Sequence, residues 1–169
     1  MRSFRRGLPA VTVAFLFVAL SMPCAEGARA QPLAGQRHGD LGIEAPWARA
    51  TPPNARTGAV YLTLVNHGSV TDRLVAASSA AAERVELHAH INESGVMRMT
   101  AVNAVNLAAG ERVDLRPGGL HVMLVDLKGP LRENTQVSVT LRFAMAGEIT
   151  IAVPVLRNPP AQAGPRHGH

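Results

Sequence analysis

Alternation of apolar and polar residues runs through the middle of the chain and predicts an all-β domain. Successive side chains of a strand point to opposite faces, so apolar residues at every second position indicate one buried face. Residues 136–143 show this most clearly, with Val137, Val139 and Leu141 on one face. Turn-forming residues interrupt such segments at intervals of roughly 8–12 residues, which is typical of an antiparallel β-sandwich. The predicted strands cover residues 60–65, 73–78, 84–88, 112–115, 121–126, 136–143 and 149–155.

The start of the chain has a different pattern, and we predict that residues 1–30 are a cleaved secretory signal. Arg2, Arg5 and Arg6 precede an apolar run at 11–20, and small residues offer a cleavage site before Gln31. The apolar run is shorter than the roughly 20 residues that a spanning helix needs, which disfavours an uncleaved anchor. We therefore expect export by the general secretory route and no stable membrane insertion after cleavage.

Cleavage of this leader would change the composition of the chain. The only cysteine, Cys24, would be lost, and Pro23 before it disfavours a lipoprotein signal, which requires a small residue there. The exported chain would then have neither a disulfide nor a thiolate ligand. The leader also holds four of the 17 basic and one of the 12 acidic residues, so the net charge would fall from +5 to +2. Scattered arginines and few aromatic residues argue against nucleic-acid binding.

Composition divides the rest of the chain into one folded domain and two flanking segments. Residues 31–40 are polar and contain glycine and proline, which predicts a flexible lead-in. Residues 157–169 have almost nothing apolar to bury, which predicts a disordered tail. The folded domain is predicted to cover residues 41–156, enough for one modest core.

Histidine and methionine are the residues whose positions in this domain indicate chemistry. His121 and Met123 are two residues apart in a predicted strand and therefore share a face. Met97 and Met99 share a face by the same rule, and His88 faces away from the apolar side of its strand. Strand ends and loop edges could bring these side chains together.

Two histidines with two methionines favour copper, and Cu(I) in particular. Thioether sulfur is a soft, neutral ligand, whereas zinc prefers cysteine, histidine or carboxylate, and magnesium or calcium needs oxygen. Neutral ligands leave the charge of the ion uncompensated, which favours the monovalent state. A blue-copper centre would need a cysteine ligand, which the exported chain would lack. A simpler explanation stays open for each residue by itself, because a methionine on a strand usually fills a core and a lone histidine usually lies at the surface.

The spacing of four of these residues matches a known signature. Ten residues separate His88 from Met99, 21 separate Met99 from His121, and one separates His121 from Met123. This arrangement resembles the H-x(10)-M-x(21)-H-x-M motif of the periplasmic copper chaperones called PCuAC, and the resemblance extends from about Leu41 to Val155. Further similar segments are 47–53 (WARATPP), 57–62 (TGAVYL), 84–88 (RVELH), 95–99 (GVMRM) and 117–123 (PGGLHVM).

The resemblance implies a fold, a site and a function. It implies a cupredoxin-like antiparallel β-sandwich with Greek-key connections. It implies one Cu(I) at an exposed site whose ligands are His88, Met99, His121 and Met123. The implied function is that of a monomeric periplasmic chaperone, not an enzyme, for cytochrome c oxidase assembly. Ligand exchange would deliver the ion to the copper subunit of the oxidase or to another periplasmic copper carrier.

Three further histidines have roles that the sequence leaves open. His90 follows His88 at i+2 and shares its face, so it could assist copper binding, compete for the ion or do nothing. His167 and His169 lie in the predicted tail. They could capture Cu(II), which binds nitrogen ligands strongly, or they could be incidental to a solvated segment.

The sequence also leaves three alternatives to a chaperone. A copper-buffering or sequestering protein would use the same ligands. A copper-dependent enzyme would need a general base or a nucleophile, and no such group accompanies the ligands. A purely structural β-sandwich would make the spacing coincidental. Transfer of copper to an acceptor distinguishes a chaperone from all three.

Overall fold

The computed structural model of the chain describes residues 35–93 and 95–160. These residues form eleven β-strands and no helix, so none of them belongs to a helix that could span a membrane. The predicted signal and residues 161–169 of the predicted tail lie outside the described residues. The strands are β1 (Gln36–His38), β2 (Leu41–Arg49), β3 (Thr57–Asn66), β4 (Asp72–Ser78), β5 (Ala82–Glu93), β6 (Val96–Ala101), β7 (Val105–Leu107), β8 (Arg112–Leu115), β9 (His121–Leu127), β10 (Gln136–Phe143) and β11 (Gly147–Leu156).

The strands form two sheets that are joined along one edge. The first sheet has the order β6-β5-β9-β3-β2, with β1 beside β2 and β8 beside β3. The second has the order β11-β10-β4-β7. Neighbouring strands are antiparallel except β11 and β2, whose parallel pairing at Val155–Ala48 connects the two sheets. The predicted all-β sandwich is confirmed, and this one parallel pair departs from the wholly antiparallel pairing that was expected.

The core lies between the two sheets and fixes which side chains of the first sheet face outward. Val60, Leu62 and Leu64 of β3 are buried, as are Val122 and Leu124 of β9. Burial of each such side chain contributes about 1.5–3 kcal/mol. Because side chains alternate along a strand, burial of these even-numbered residues directs the odd-numbered residues of β3 and β9 to the outer face.

The described part of the predicted flexible lead-in is partly ordered. Gln36–His38 form β1, which pairs with Leu41–Ile43 across a two-residue turn. Gly39 has a φ of 60°, a left-handed conformation that suits a tight hairpin. All three β1 side chains are exposed, so backbone pairing rather than burial holds this strand. Composition alone therefore could not predict it.

Candidate metal centre

Three neighbouring strands of the first sheet carry the four predicted ligands. β5 lies between β6 and β9, and His88 of β5 lies directly across from His121 of β9. The centroids of their imidazole rings are 5.8 Å apart. Leu87 and Val122, which precede and follow them in sequence, are buried in the core, so both histidines project outward. The outer surface they share, called the site face below, carries Glu86, His88, His90, Met99, His121 and Met123.

The two predicted methionines lie on opposite sides of His88. Met99 of β6 pairs with His90, and Met123 of β9 pairs with Glu86. Each methionine is thus a diagonal neighbour of His88, at a usual Cα separation of about 7–8 Å. In a flat sheet, two strand intervals and four residues would separate the two methionine Cα atoms by about 16 Å. Sheet twist and the long, flexible thioether side chains would have to close this gap around one ion.

Burial differs sharply between the members of the site face. His121 is 4% exposed, whereas Met99 is 48% exposed on β6, the strand at the end of the sheet order. His88 and Met123 are half-buried. Among the described residues, no three histidine, cysteine, aspartate or glutamate side chains are arranged as a ready metal-binding group. A bound ion would therefore have to draw these side chains together.

A backbone carbonyl orients His121. Its Nδ1 lies 3.0 Å from the Gly119 oxygen, and because a carbonyl only accepts, Nδ1–H is the donor. Nε2 is then the unprotonated nitrogen that could bind a metal. Burial lowers the pKa of His121 below its usual 6.5, and the nearby His90 and His88 lower it further, while the Gly119 hydrogen bond opposes them. His121 is therefore neutral at pH 7, as a ligand has to be.

A carboxylate orients His88 in the opposite tautomer. Nε2 of His88 lies 2.8 Å from Oε2 of Glu86, so Nε2–H donates, and in the neutral ring the lone pair is on Nδ1. That Nδ1 atom is buried and has no hydrogen-bond partner. Carboxylates that accept from a metal-binding histidine fix its orientation and raise its basicity. The sequence analysis did not identify Glu86, although its i−2 spacing from His88 placed it on the same face.

The loop before β9 connects His121 to β5. Gly118 has a φ of 77°, which a glycine accepts readily, and Arg116 N–H donates to the Leu120 oxygen at 2.8 Å to close the turn. The Gly119 oxygen accepts from the backbone N–H of His90 at 3.3 Å as well as from His121. The PGGLH segment of the sequence thus holds β5 and the His121 ring through one carbonyl.

Two buried aromatic residues lie in a row beside His121. The Tyr61 ring centroid is 6.3 Å from that of His121, and Trp47 packs on Tyr61 at 4.7 Å. Both aromatic residues are buried, and burial raises the pKa of Tyr61. A bulge in β2 between Glu44 and Trp47, where Ala45 has a φ of 44°, sets the position of the indole. Tyr61 is thus the buried aromatic ring next to His121, and Trp47 packs behind it.

His90 is a third histidine of the site face. Its ring lies 5.3 Å from that of His121 at an interplanar angle of 29°. Its Nδ1 is buried without a hydrogen-bond partner, as is that of His88. The structure therefore brings three imidazoles together where the signature contains two. His167 and His169 of the predicted tail lie outside the described residues.

Solved PCuAC domains share this fold. The copper-bound PCuAC domain from PmoF2 is 30% identical, covers 74% of this chain and 99% of that domain, and has a TM-score of 0.64. The Cu(I) form of DR1885 from Deinococcus radiodurans is 29% identical, covers 80% of this chain and 87% of that protein, and has a TM-score of 0.51. The fold is thus the cupredoxin-like β-sandwich of the PCuAC domains, as the sequence predicted.

Comparisons of sequence give the family. Residues 41–155 match the family model named LpqE-like, whose description assigns it to lipoproteins. Lxx21020 of Leifsonia xyli subsp. xyli (strain CTCB07), which its name also assigns to lipoproteins, is 31% identical over 156 residues, or 92% of this chain and 93% of that protein. The chain belongs to the LpqE-like family, which is related to the PCuAC domains.

Proposed function

We propose that this chain is a periplasmic copper chaperone that binds one Cu(I) and hands it to another protein. The ligands are His88, Met99, His121 and Met123. The observation that carries the proposal is the His88–His121 pair, in which Glu86 and Gly119 each hold one ring nitrogen and leave the other for a metal. Similarity to a copper-bound PCuAC domain and to a Cu(I)-bound protein supports copper as the ion.

The donor set favours Cu(I) over other ions available outside the cytoplasm. Two thioethers and two neutral imidazoles are soft to intermediate ligands that bring no negative charge to the ion. Zinc would bind such a set weakly, because it prefers thiolate, imidazole or carboxylate. Thioethers also bind without losing a proton, so Cu(I) can leave them at constant pH.

The uneven burial of the site face suggests the order of ligand exchange. Met99 lies on the outermost strand and is about half exposed, so an acceptor can reach copper from the β6 side. His121 is buried against Tyr61 and is held by Gly119. In the proposed mechanism the acceptor displaces Met99 first and His121 last, while the ion stays coordinated throughout. Nothing in this mechanism requires catalysis.

The proposed acceptor is the copper subunit of cytochrome c oxidase or another periplasmic copper carrier. The chaperone acts as a monomer after removal of residues 1–30, and His167 and His169 of the tail capture Cu(II) in addition. The lipoprotein names of the family and of Lxx21020 make Cys24 a point to test, because Pro23 disfavours lipid attachment there. The mass of the protein isolated from the envelope decides whether the chain begins after Ala30 or at a lipidated Cys24.

A copper-transfer assay tests the proposed function. The chain from Gln31 onward, loaded with Cu(I), is mixed with the soluble copper domain of an oxidase, and copper in the acceptor is followed by its absorption. We expect transfer faster than copper release to a small chelator of matched affinity, because ligand exchange avoids free copper. Transfer no faster than this release would indicate a buffering protein instead.

A further inference from the structure

The geometry points to a second donor set on the site face: His88, His90 and His121 form a three-imidazole site for Cu(II). The inference rests on the proposed copper site, with which it shares His88 and His121. It adds His90, which the four-residue signature does not contain, as a ligand. It also adds Cu(II) as a second oxidation state of the copper that the site binds.

The three rings lie close enough for one ion to draw them together. The His121 centroid lies 5.3 Å from that of His90 and 5.8 Å from that of His88. His88 and His90 are two residues apart on one face of β5, about 7 Å between Cα atoms. With a metal–nitrogen distance of about 2.0 Å and about 1.1 Å from nitrogen to ring centre, imidazoles on one tetragonal ion have centroids about 4.4 Å apart when they are cis and about 6.2 Å apart when they are trans. The two observed separations lie between these values, so shifts of about 1 Å in the ring positions would bring the imidazoles onto one ion.

Two unpaired ring nitrogens on the site face are available to an ion. Nδ1 of His88 and Nδ1 of His90 are both buried and have no hydrogen-bond partner. A buried polar atom without a partner is costly, and a bound ion would satisfy both atoms at once. The His90 ring now stacks on His121 at 29°, so it has to rotate to direct Nδ1 at a shared ion. That rotation breaks no hydrogen bond at Nδ1.

The two oxidation states of copper prefer different ligands, so each would use a different set of side chains on the site face. Cu(II) favours nitrogen and oxygen ligands in tetragonal geometry, whereas thioethers favour Cu(I). His90 lies directly across from Met99, so a copper ion beside His88 and His121 has an imidazole and a thioether within the same region. Cu(II) takes His90 and leaves the fourth position to water, and Cu(I) takes the methionines. The inference concerns binding alone and requires no electron transfer by the chain.

Pulsed electron paramagnetic resonance tests this inference by counting the imidazoles on Cu(II). The probe is Cu(II) alone, added to the chain from Gln31 onward with His167→Asn and His169→Asn, so that the tail cannot contribute nitrogen. We expect three coordinated imidazoles in this parent protein and two after His90→Asn. The Cu(II) affinity should fall at least about tenfold, the lower end of what the loss of an outer-shell partner costs. The Cu(I) affinity should stay within the same order of magnitude.

His38→Asn is the matched control. His38 is an exposed histidine of β1, which pairs with β2 at Leu41, away from Trp47 and the site face. We expect this substitution to change neither the imidazole count nor either affinity.

Two results would overturn the inference. The first is a count of two imidazoles in the parent protein, a measurement that does not depend on whether His90→Asn folds. The second is an equal loss of Cu(I) and Cu(II) affinity in a folded His90→Asn variant. That result would mean that His90 stabilises the site as a whole and is not a specific Cu(II) ligand. Failure of the proposed function is distinguishable, because it would appear as Cu(I) binding that is absent or independent of Met99 and Met123.

Discussion

The β9 side and the β6 side of the site face are built in opposite ways. On the β9 side, His121 is buried, neutral, bonded to Gly119 and packed beside Tyr61. On the β6 side, every residue of the strand is exposed, including Met99. The first arrangement fixes the proposed ligand His121 in place, and the second leaves the proposed ligand Met99 accessible to another protein. A site that combines them can hold an ion firmly and still surrender it to a partner that approaches from one direction.

The largest expected effect is at His121. His121→Asn removes a buried imidazole that the Gly119 carbonyl orients, so we expect Cu(I) affinity to fall by more than roughly 100-fold, beyond the range for outer-shell partners. Competition with a Cu(I) chelator measures this loss. His67→Asn, in the turn after β3, is the control and should bind as the parent does. If His121→Asn lowered the Cu(I) affinity less than Met99→Leu does, the β9 side would not be the side that holds the ion more firmly.

Substitution of either methionine should weaken Cu(I) binding, but the two substitutions should change the rate of copper transfer to different extents. Met99→Leu and Met123→Leu nearly conserve volume, so the fold should remain intact, while each loses a thioether ligand. We expect each to weaken Cu(I) binding by at least about tenfold, or about 1.4 kcal/mol. Because the acceptor displaces Met99 first in the proposed mechanism, Met99→Leu should also speed transfer to the acceptor more than Met123→Leu does. Stopped-flow transfer rates at equal loading test this, and unchanged affinity in both variants would refute the ligand assignment.

A smaller effect is expected at Glu86. Glu86→Ala removes the carboxylate that accepts from Nε2 of His88, and loss of such a partner costs about 10–100-fold in metal affinity. Glu86→Gln keeps an acceptor oxygen and should recover part of this loss. Glu83→Ala is the matched control, since Glu83 is an exposed β5 residue whose ion pair with Lys128 lies off the site face. Equal affinities of the Glu86→Ala and Glu83→Ala variants would show that Glu86 does not position His88.

The smallest effect concerns the pH dependence of the metal-free protein. Burial lowers the pKa of His121 in the folded state, so the unfolded chain binds this proton more readily. The contribution to stability is therefore fully present above about pH 6.5, the unfolded value, and is lost as pH falls below it. Nuclear magnetic resonance titration of the His121 ring should give a midpoint below 6.5. A midpoint at or above 6.5 would contradict the buried, neutral imidazole.

Sequence pattern predicted β3, β4, β5, β8, β9, β10 and β11. It missed β7, whose three residues alternate in burial but are too few to show a period. It missed β6, because all six of its side chains are exposed and no alternation marks it. It missed β2 because the bulge at Ala45 and the buried residues on both sides of it break the period of two. It missed β1 because that strand buries no side chain. Where backbone pairing alone makes a strand, hydrophobic pattern contains no signal.

The sequence was enough to name the residues of the candidate site, but not to predict how the strands that carry them pair. The spacing named His88 and His121, and the structure places them across from each other. The sequence could not reveal that Met99 lies across from His90 rather than His88, since strand register depends on how β5, β6 and β9 pack together. For the same reason it could not predict that Glu86 would hold His88 or that the Gly119 carbonyl would hold His121. These contacts join residues whose relation only the folded sheet creates.

X-ray absorption at the copper edge tests the ligand set most directly. The chain from Gln31 onward, with His167→Asn and His169→Asn, is loaded with one equivalent of Cu(I) under reducing conditions. Two sulfur and two nitrogen scatterers are expected, with one sulfur lost in each of Met99→Leu and Met123→Leu. A first shell of nitrogen and oxygen alone, unchanged in both methionine variants, would show that copper does not bind as proposed here.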